Sequence, residues 1–302
     1  MTHVATLVAN PARPVLEARL VASVAQLLPD AQTSWLAPGI AADLAFAPPD
    51  NADASRLAAL LRAAVAGEPV DVIVQPGAGR RKKLLVADMD STVIAQECID
   101  ELADFAGLKE HVAKITARAM RGEIEFVSAL RERVALLAGL DVGVIDKLLA
   151  ERITPTPGAA ALVATMRAHG AFTALVTGGF TQFTLPLAER LGFHTSEANM
   201  LIVENGKLTG EITEPVRGQF AKRDALLRLR AELGLAPSET LAVGDGANDV
   251  AMLAEAGLGV AFHAQPAVAA AAGVRIDHAD LTALLYAQGY RREEFCSCPP
   301  SS

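Results

Sequence analysis

The chain is poor in aromatic residues and in cysteine. Aromatic residues make up only 4% of its 302 residues, whereas 51% are hydrophobic, so we expect a large aliphatic core divided between more than one domain. The three cysteines, Cys98, Cys296 and Cys298, provide neither a disulfide framework nor the spacing of a zinc site. We expect none of them to be catalytic.

The chain also lacks an excess of positive charge and a membrane-spanning run. Its net charge is -8 and its pI is near 5.3, which disfavours nucleic acid and anionic membranes as partners. No apolar run reaches the roughly 18 residues that cross a bilayer, and the first residues do not begin a secretion signal. We therefore expect a cytoplasmic protein with no nucleic-acid or membrane partner, and an anionic small molecule is compatible with this charge if a local pocket supplies cations.

Residues 1–76 are interpreted as a separate α+β module. Short apolar strands and two helical stretches follow the order β-α-β-β-α-β, from "HVATLVAN" to "VDVIVQP". Residues 77–83, "GAGRRKK", combine glycine with four successive cations, which is typical of an exposed linker. A domain boundary near residue 80 is therefore predicted, and residues 291–302 are predicted to form a flexible tail.

Residues 84–290 are predicted to form an α/β domain. Apolar strands recur with helices between them, at Leu84–Ala87, Phe172–Val176, Thr240–Val243 and Gly259–Ala261. This alternation gives a doubly wound parallel sheet whose ligands bind at the carboxyl ends of the strands. The segment of about 80 residues between the first two strands, residues 95–170, is nearly all helical by period, which predicts an inserted helical cap.

Paired carboxylates follow two of these strands. "LLVADMDSTVI" places Asp88 and Asp90 after the first strand, and "AVGDGANDVAML" places Asp245 and Asp249 after a later one. Four converging carboxylates repel one another unless a cation lies between them, and such hard oxygen ligands suit Mg²⁺. Taken alone, either motif also fits aspartates that cap turns or helices.

Two weaker motifs supply candidate phosphate ligands. "ALVTGGF" ends a strand with Thr177, Gly178 and Gly179, whose hydroxyl and backbone N–H groups at a helix start suit a phosphate. Lys222, in "GQFAKRDALL", lies near another predicted helix start. Alone, a strand-Gly-Gly-helix turn and a solvated lysine are both common. These residues therefore indicate a phosphate site only because they occur in this order together with the other motifs.

Together the motifs resemble the haloacid dehalogenase superfamily and, within it, the phosphoserine phosphatases, across residues 84–285. The resemblance also rests on "ECIDELA", "ALRERVALLAGL", "ITPTPGA" and "ANMLIVENGKLTGEI". One departure is Thr177, where the family more often has serine, but the hydroxyl is kept. The resemblance implies a HAD-like fold and an Mg²⁺-dependent phosphatase that hydrolyses O-phospho-L-serine through an aspartyl-phosphate, in the last step of serine biosynthesis.

The resemblance also implies a role for each site residue. Asp88 would attack phosphorus, and Asp90 would act as general acid and then as base. Mg²⁺ would be bound by Asp88, the backbone carbonyl of Asp90 and Asp245, with Asp249 close by. The phosphate would be bound by a set of donors: Thr177, Gly178, Gly179, Lys222 and Asn248. The amino and carboxyl groups would be bound by Glu97 and Arg133, and Met120 and Phe126 would close over them.

Several alternatives stay open. From the residues alone, Glu97 and Arg133 fit ordinary surface charge on amphipathic helices, and Arg131 is a competing arginine. The N-terminal module resembles ACT-type modules more loosely; these bind amino acids or pair into dimers, and a scaffold that joins two subunits into a homodimer is favoured. The substrate could be another small phosphoester, such as phosphothreonine or phosphohomoserine. A non-enzymatic amino-acid sensor is disfavoured by the intact catalytic set.

Overall fold

The computed structural model describes residues 2–48, 54–120 and 123–296. Its N-terminal part is an antiparallel sheet with two helices. Its elements are β1 His3–Ala9, α1 Ala18–Ala25, β2 Gln32–Ala37, β3 Ala41–Phe46, α2 Ala54–Ala64 and β4 Val70–Pro76. The strand order is β2-β3-β1-β4, with all pairs antiparallel. The predicted β-α-β-β-α-β order is therefore confirmed.

Both faces of this sheet are covered. One face joins the helices in a small core that includes Leu7, Leu44 and Leu61. The other face presents Val8 and Ile73 to the large core of the remaining chain. Because successive side chains of a strand point to opposite faces, the same strands serve both cores, and the module is docked on the second part of the chain.

The segment that joins the two parts is partly buried. Arg80 forms an ion pair with Asp43 at 2.6 Å, and its Nε donates to the carbonyl of Ala287 at 3.0 Å. The Nζ of Lys82, a residue that is only 7% exposed, donates to the carbonyl of Ser238 at 2.7 Å. The prediction of an exposed linker is therefore wrong for these two cations, because their side chains are bound by Asp43 and by backbone carbonyls of the second part of the chain.

The strands of the second part build one parallel sheet and one hairpin. They are β5 Leu84–Ala87, β6 Phe172–Phe180, β7 Thr195–Asn199, β8 Leu201–Glu204, β9 Lys207–Ile212, β10 Thr240–Gly244, β11 Leu258–Phe262 and β12 Val274–Ile276. The six-stranded sheet has the order β12-β11-β10-β5-β6-β7, and β8 pairs with β9 alone. Two edge strands, β7 and β12, add to the four predicted from apolar runs; both are short, and β7 is polar.

Helices cover both faces of the parallel sheet. They are α3 Cys98–Phe105, α4 Lys109–Met120, α5 Phe126–Ala135, α6 Gly143–Glu151, α7 Ala159–Ala168, α8 Thr181–Leu191, α9 Ala221–Glu232, α10 Val250–Glu255, α11 Pro266–Ala271 and α12 Ala283–Ala287. On one face, Leu226 and Met252 pack against Val86. On the other, Leu162 and Leu187 share a core with Leu85. The predicted doubly wound α/β fold is confirmed.

Helices α3 to α6 form a cap above the carboxyl end of β5. The chain enters and leaves the cap side by side, since the N–H of Ala95 donates to Thr154 at 3.1 Å and that of Thr156 donates to Val93 at 2.9 Å. Helix α7 packs against β6 instead. The hairpin β8–β9 joins the cap, because the Gly139 N–H donates to the carbonyl of Leu208 at 2.8 Å. The sequence predicted only the helical part of this cap.

The chain end is ordered as far as it is described. The Cys296 N–H donates to Thr165 Oγ1 at 2.9 Å, and Phe295 packs against the large core. The prediction of a flexible tail is therefore wrong for residues 291–296, because the Arg291 N–H, the Phe295 side chain and the Cys296 N–H all have partners in the structure. Cys298 lies outside the described residues. Cys98 is a buried free thiol. None of the described helices has the length and apolar character that a membrane crossing requires.

Candidate active site

The central strand β5 delivers Asp88 into a buried position. Its neighbours β10 and β6 run parallel to it, so the carboxyl ends of all three strands meet at one edge. The Asp88 N–H donates to the carbonyl of Val243 at 3.0 Å, and Asp88 Oδ1 accepts the Met89 N–H at 2.7 Å. The following loop turns sharply at Ser91, whose φ is 54°. Asp88 is thus held at the strand end, 4% exposed.

Lys222 lies between two buried carboxylates. Its Nζ is 2.8 Å from Asp88 Oδ2 and 2.7 Å from Asp249 Oδ1, and its side chain is 4% exposed. Asp249 also accepts the Gly246 N–H at 2.9 Å. Burial alone would lower the pKa of Lys222, but the charges of Asp88 and Asp249 raise it overall. The lysine is therefore a fixed cation at this site.

The absence of a side chain at Gly244 makes room for this arrangement. A Cβ on Gly244, at the end of β10, would lie 2.2 Å from Cγ of Asp249. No side chain fits there without displacing the carboxylate. The glycine of the "VGDG" motif is thus explained by close packing against Asp249.

Three carboxylates could share one metal ion. Asp88, Asp245 and Asp249 each offer an oxygen atom, and these atoms lie within 4.8 Å of one another. Burial, followed by the charge of Asp249, raises the pKa of Asp88 well above its ordinary value and that of Asp245 to about 6. Excess negative charge around one ammonium group favours a further cation, and hard oxygen donors suit a divalent one. The residues present therefore fit a metal such as Mg²⁺.

Asp90 is held apart from this cluster. Its Oδ1 accepts the Cys98 N–H at 2.8 Å, and its Oδ2 accepts the Thr177 hydroxyl at 3.2 Å. The expectation that four carboxylates converge on one point is corrected to three, because these two donors hold the Asp90 side chain between the start of α3 and β6. Burial raises the pKa of Asp90, although both hydrogen bonds oppose the shift. A carboxyl with a raised pKa is suited to proton transfer.

The predicted phosphate-binding segment, Thr177–Gly179 at the end of β6, lies beside Asp90 and is called the phosphate loop below. The Gly179 N–H donates to Thr177 Oγ1 at 2.9 Å, and α8 begins two residues later. A Cβ on Gly179 would lie 2.9 Å from Asp90 Oδ2, so a side chain here would displace the Asp90 carboxylate. The loop therefore brings the Thr177 hydroxyl and a helix start to the same edge of the sheet as Asp88.

The cap contributes two charged side chains, Glu97 and Arg133. Glu97 accepts the Ser91 hydroxyl at 2.7 Å and is exposed to solvent on one side, with protein on most other sides. Burial by these surroundings, together with the charge of Asp90, raises the pKa of Glu97 to about 7. Burial also lowers the pKa of the half-buried Arg133, while the charges of Asp100, Glu97 and Asp90 counteract this. The competing Arg131 is exposed and pairs with Glu214.

The remaining predicted residues are placed as follows. Phe126 begins α5 and faces the phosphate loop, since a Cβ on Gly178 would lie 3.2 Å from its Cζ. Asn248 is half-buried and folds over Gly246, where a Cβ would lie 2.5 Å from its Oδ1. Met120 ends α4, and its side chain lies outside what the structure describes.

Three further polar groups support the site without having been singled out in the sequence. The Thr92 hydroxyl donates to Asp245 Oδ1 at 3.1 Å. Ser91 orients Glu97, and Asn199 binds the carbonyl of Gly178 at 2.8 Å. Thr92 and Ser91 lie inside the "DMDSTVI" motif, which was a signal for them. Asn199 is the last residue of the polar edge strand β7 and lies inside the "ANMLIVENGKLTGEI" motif, but only the fold reveals its neighbours.

Comparison with known proteins identifies the family. A family model described as haloacid dehalogenase-like hydrolase matches residues 85–254. The chain is 49% identical to the phosphoserine phosphatase of Albidiferax ferrireducens over 208 residues, which cover 67% of this chain and 88% of that protein. The chain belongs to the haloacid dehalogenase-like hydrolases.

Two further relatives refine this picture. The chain is 44% identical to the phosphoserine phosphatase of Streptomyces coelicolor over 239 residues, which cover 79% of this chain but only 58% of that longer protein. A solved structure described as a phospho-aspartyl intermediate analogue of phosphoserine phosphatase is 41% identical, with a TM-score of 0.64, over 68% of this chain and 98% of that one. The predicted resemblance to phosphoserine phosphatases is therefore confirmed.

Proposed function

We propose that this protein hydrolyses O-phospho-L-serine to L-serine and phosphate, in the cytoplasm, as the last step of serine biosynthesis. The observation that carries the proposal is the pairing of a buried Asp88 with Lys222 at 2.8 Å, beside an Asp90 held by two donors of its own. The names of the relatives support the substrate.

In the proposed mechanism, Asp88 is the nucleophile. Its carboxylate oxygen attacks phosphorus and forms an aspartyl-phosphate, while the bond from phosphorus to the serine oxygen breaks. Lys222 neutralises the negative charges that would otherwise repel each other, because its ammonium group is fixed next to Asp88. The solved phospho-aspartyl analogue of a relative supports this route.

A metal ion would be bound by Asp88, the backbone carbonyl of Asp90, Asp245 and Asp249. When bound, Mg²⁺ supplies positive charge close to the phosphate oxygens. Because Asp249 is fully buried and already binds Lys222 and the Gly246 N–H, its main contribution is to hold that lysine and the shape of the loop.

Asp90 makes both proton transfers. As an acid it protonates the departing serine oxygen, and as a base it then takes a proton from the water that attacks the aspartyl-phosphate, which returns Asp88 to its free form. The Thr177 hydroxyl, the Gly178 and Gly179 N–H groups, Lys222 and Asn248 stabilise the phosphate oxygens. The raised pKa of Asp90 favours its acid form at the first step.

The choice of substrate is assigned to the cap. Glu97 would bind the ammonium group of phosphoserine and Arg133 its carboxylate, since Arg133 offers a planar pair of donors. Met120 and Phe126 would close over the bound molecule. Phosphothreonine and phosphohomoserine carry the same two groups and are the alternative substrates.

The decisive experiment measures phosphate release from L-phosphoserine with Mg²⁺ and with EDTA. We expect turnover only with the metal, and we expect Asp88→Asn to abolish it while the circular dichroism spectrum stays unchanged. Asp146→Asn, a change at an exposed residue of α6, is the matched control and should keep full activity. A wild-type protein that binds phosphoserine without releasing phosphate would instead favour a sensor without activity.

A further inference from the structure

A buried asparagine at the end of β7 joins two loops of the site. Asn199 is 3% exposed. Its Nδ2 donates to the carbonyl of Gly178 at 2.8 Å, and its Oδ1 accepts the Arg217 N–H at 2.7 Å. Both ends of the side-chain amide are therefore used, and Nδ2 also donates to the carbonyl of Arg217 at 3.4 Å, so that the amide binds both loops.

These two loops carry different groups of the site. Gly178 follows Thr177 in the phosphate loop, which also contacts Asp90. Arg217 opens the short segment that leads into α9, where Lys222 occupies the second position; the turn closes with the Ala221 N–H on the carbonyl of Gly218 at 3.1 Å. The Asn199 side chain thus connects the loop that carries the Thr177 hydroxyl to the loop that leads to the Lys222 ammonium group.

We propose that Asn199 is a positioning residue that sets the distance and orientation between the phosphate loop and the loop before Lys222. By holding the Gly178 carbonyl it fixes the direction of the adjoining peptide groups, and by holding the Arg217 N–H it fixes where α9 begins. This inference rests on the proposed function, since a phosphate is the ligand that needs both loops at once.

The position requires one donor and one acceptor at the tip of a short side chain. Asparagine supplies both, whereas aspartate has the same shape, keeps the acceptor for Arg217 and places an oxygen against the carbonyl of Gly178. The repulsion between these two oxygen atoms would displace the phosphate loop. Displacement of binding groups by about 1 Å can cost roughly 100-fold in rate.

The test compares Asn199→Asp and the milder Asn199→Ser with Gln182→Leu as control. Gln182 binds the carbonyl of Leu201 at 2.8 Å, on the same segment, but reaches neither loop of the site. Each protein is assayed with Mg²⁺ at a temperature well below its own Tm, on L-phosphoserine and on p-nitrophenyl phosphate, and its affinity for orthovanadate is measured.

We expect Asn199→Asp to lose roughly 10- to 100-fold in kcat on both substrates, with a similar loss of vanadate affinity. Gln182→Leu should lower Tm but keep both kinetic constants within about threefold. Wild-type kinetics and vanadate affinity in Asn199→Asp, with only a lower Tm, would overturn the proposal. If neither Asn199 variant folds, the nitrogen-15 signal of the Asn199 side-chain amide is measured in the wild-type protein instead. A shift of this signal when vanadate binds supports the proposal, and an unchanged signal overturns it.

The two substrates separate this inference from the proposed function. If the wild-type protein hydrolyses p-nitrophenyl phosphate but not L-phosphoserine, the proposed substrate is wrong. The role of Asn199 is then still decided by the p-nitrophenyl phosphate and vanadate measurements.

Discussion

Replacing Lys222 by methionine is expected to destabilise the fold far more than the same change at the surface. The ammonium group lies 2.8 Å from Asp88 and 2.7 Å from Asp249, and all three side chains are almost fully buried. Methionine keeps the length and apolar volume of the stem but removes the charge. The two carboxylates would then face each other, with Asp245 nearby, without a cation of the protein.

The magnitude follows from the cost of an uncompensated buried charge. Removing one partner of a buried ion pair costs about 3–5 kcal/mol, against a total stability of about 5–15 kcal/mol for a typical domain. Mg²⁺ binds only the folded site and should restore part of the loss, about 2.7 kcal/mol at a concentration of 100 times its Kd. The deficit should therefore be largest in EDTA.

The deficit should also depend on pH. Burial and the charge of Asp249 raise the pKa of Asp88 and bring that of Asp245 to about 6 in the folded protein. A carboxyl whose pKa is higher in the folded state stabilises the fold below its unfolded pKa, and this contribution is lost as the pH rises through the folded pKa. Loss of Lys222 raises these pKa values further, so the deficit relative to wild type should grow as the pH rises from about 4 through about 6 and above.

Urea unfolding followed by circular dichroism measures this deficit at several pH values, with EDTA or Mg²⁺. Lys114→Met is the matched control, because Lys114 is an exposed residue of α4 and the same change there should stay within about 0.5 kcal/mol. A Lys222→Met deficit below about 1 kcal/mol in EDTA, or one that does not vary with pH, would refute the view that this lysine compensates a buried cluster of negative charge.

Two further changes test the substrate groups and the loop packing. Glu97→Gln and Arg133→Met should each raise the KM for phosphoserine by roughly tenfold or more, because a charged hydrogen bond to the substrate is lost. The KM for p-nitrophenyl phosphate should stay nearly unchanged. Equal losses on both substrates would contradict the assignment of these two residues. Gly244→Ala should cost about 1–3 kcal/mol in urea unfolding, because its Cβ would meet Asp249 at 2.2 Å. Gly273→Ala, where nothing lies within 4 Å, should be close to neutral; equal effects at the two glycines would argue against the clash.

The central part of the site could be predicted because its residues sit in short motifs at strand ends. Asp88 and Asp245 each follow an apolar strand, and parallel strands bring their carboxyl ends together whatever lies between them. The fold class followed from the same alternation of strands and helices. These predictions needed only local patterns and one topological rule.

Other parts depend on contacts between distant segments. The Asp90 carboxylate could not be separated from the cluster, because its orientation is set by the Cys98 N–H and by Thr177, 87 residues away. From the sequence alone the buried Lys82 is interpreted as a solvated cation, because the nearer of its two carbonyl partners belongs to the distant residue 238. A pattern in the local sequence carries no information on either partner.

The docking of the N-terminal module limits how it could join two subunits. Asp71 of β4 accepts N–H groups of Asp277 and Ala279 at 2.8 Å each, and Gln75 donates to the carbonyl of Ala287 at 2.6 Å. The sheet face that could pair with a second module is therefore occupied by the same chain. A homodimer through this module stays a prediction, and its interface would have to use the exposed edge strand β2 or the helical face, where Leu60 is 52% exposed.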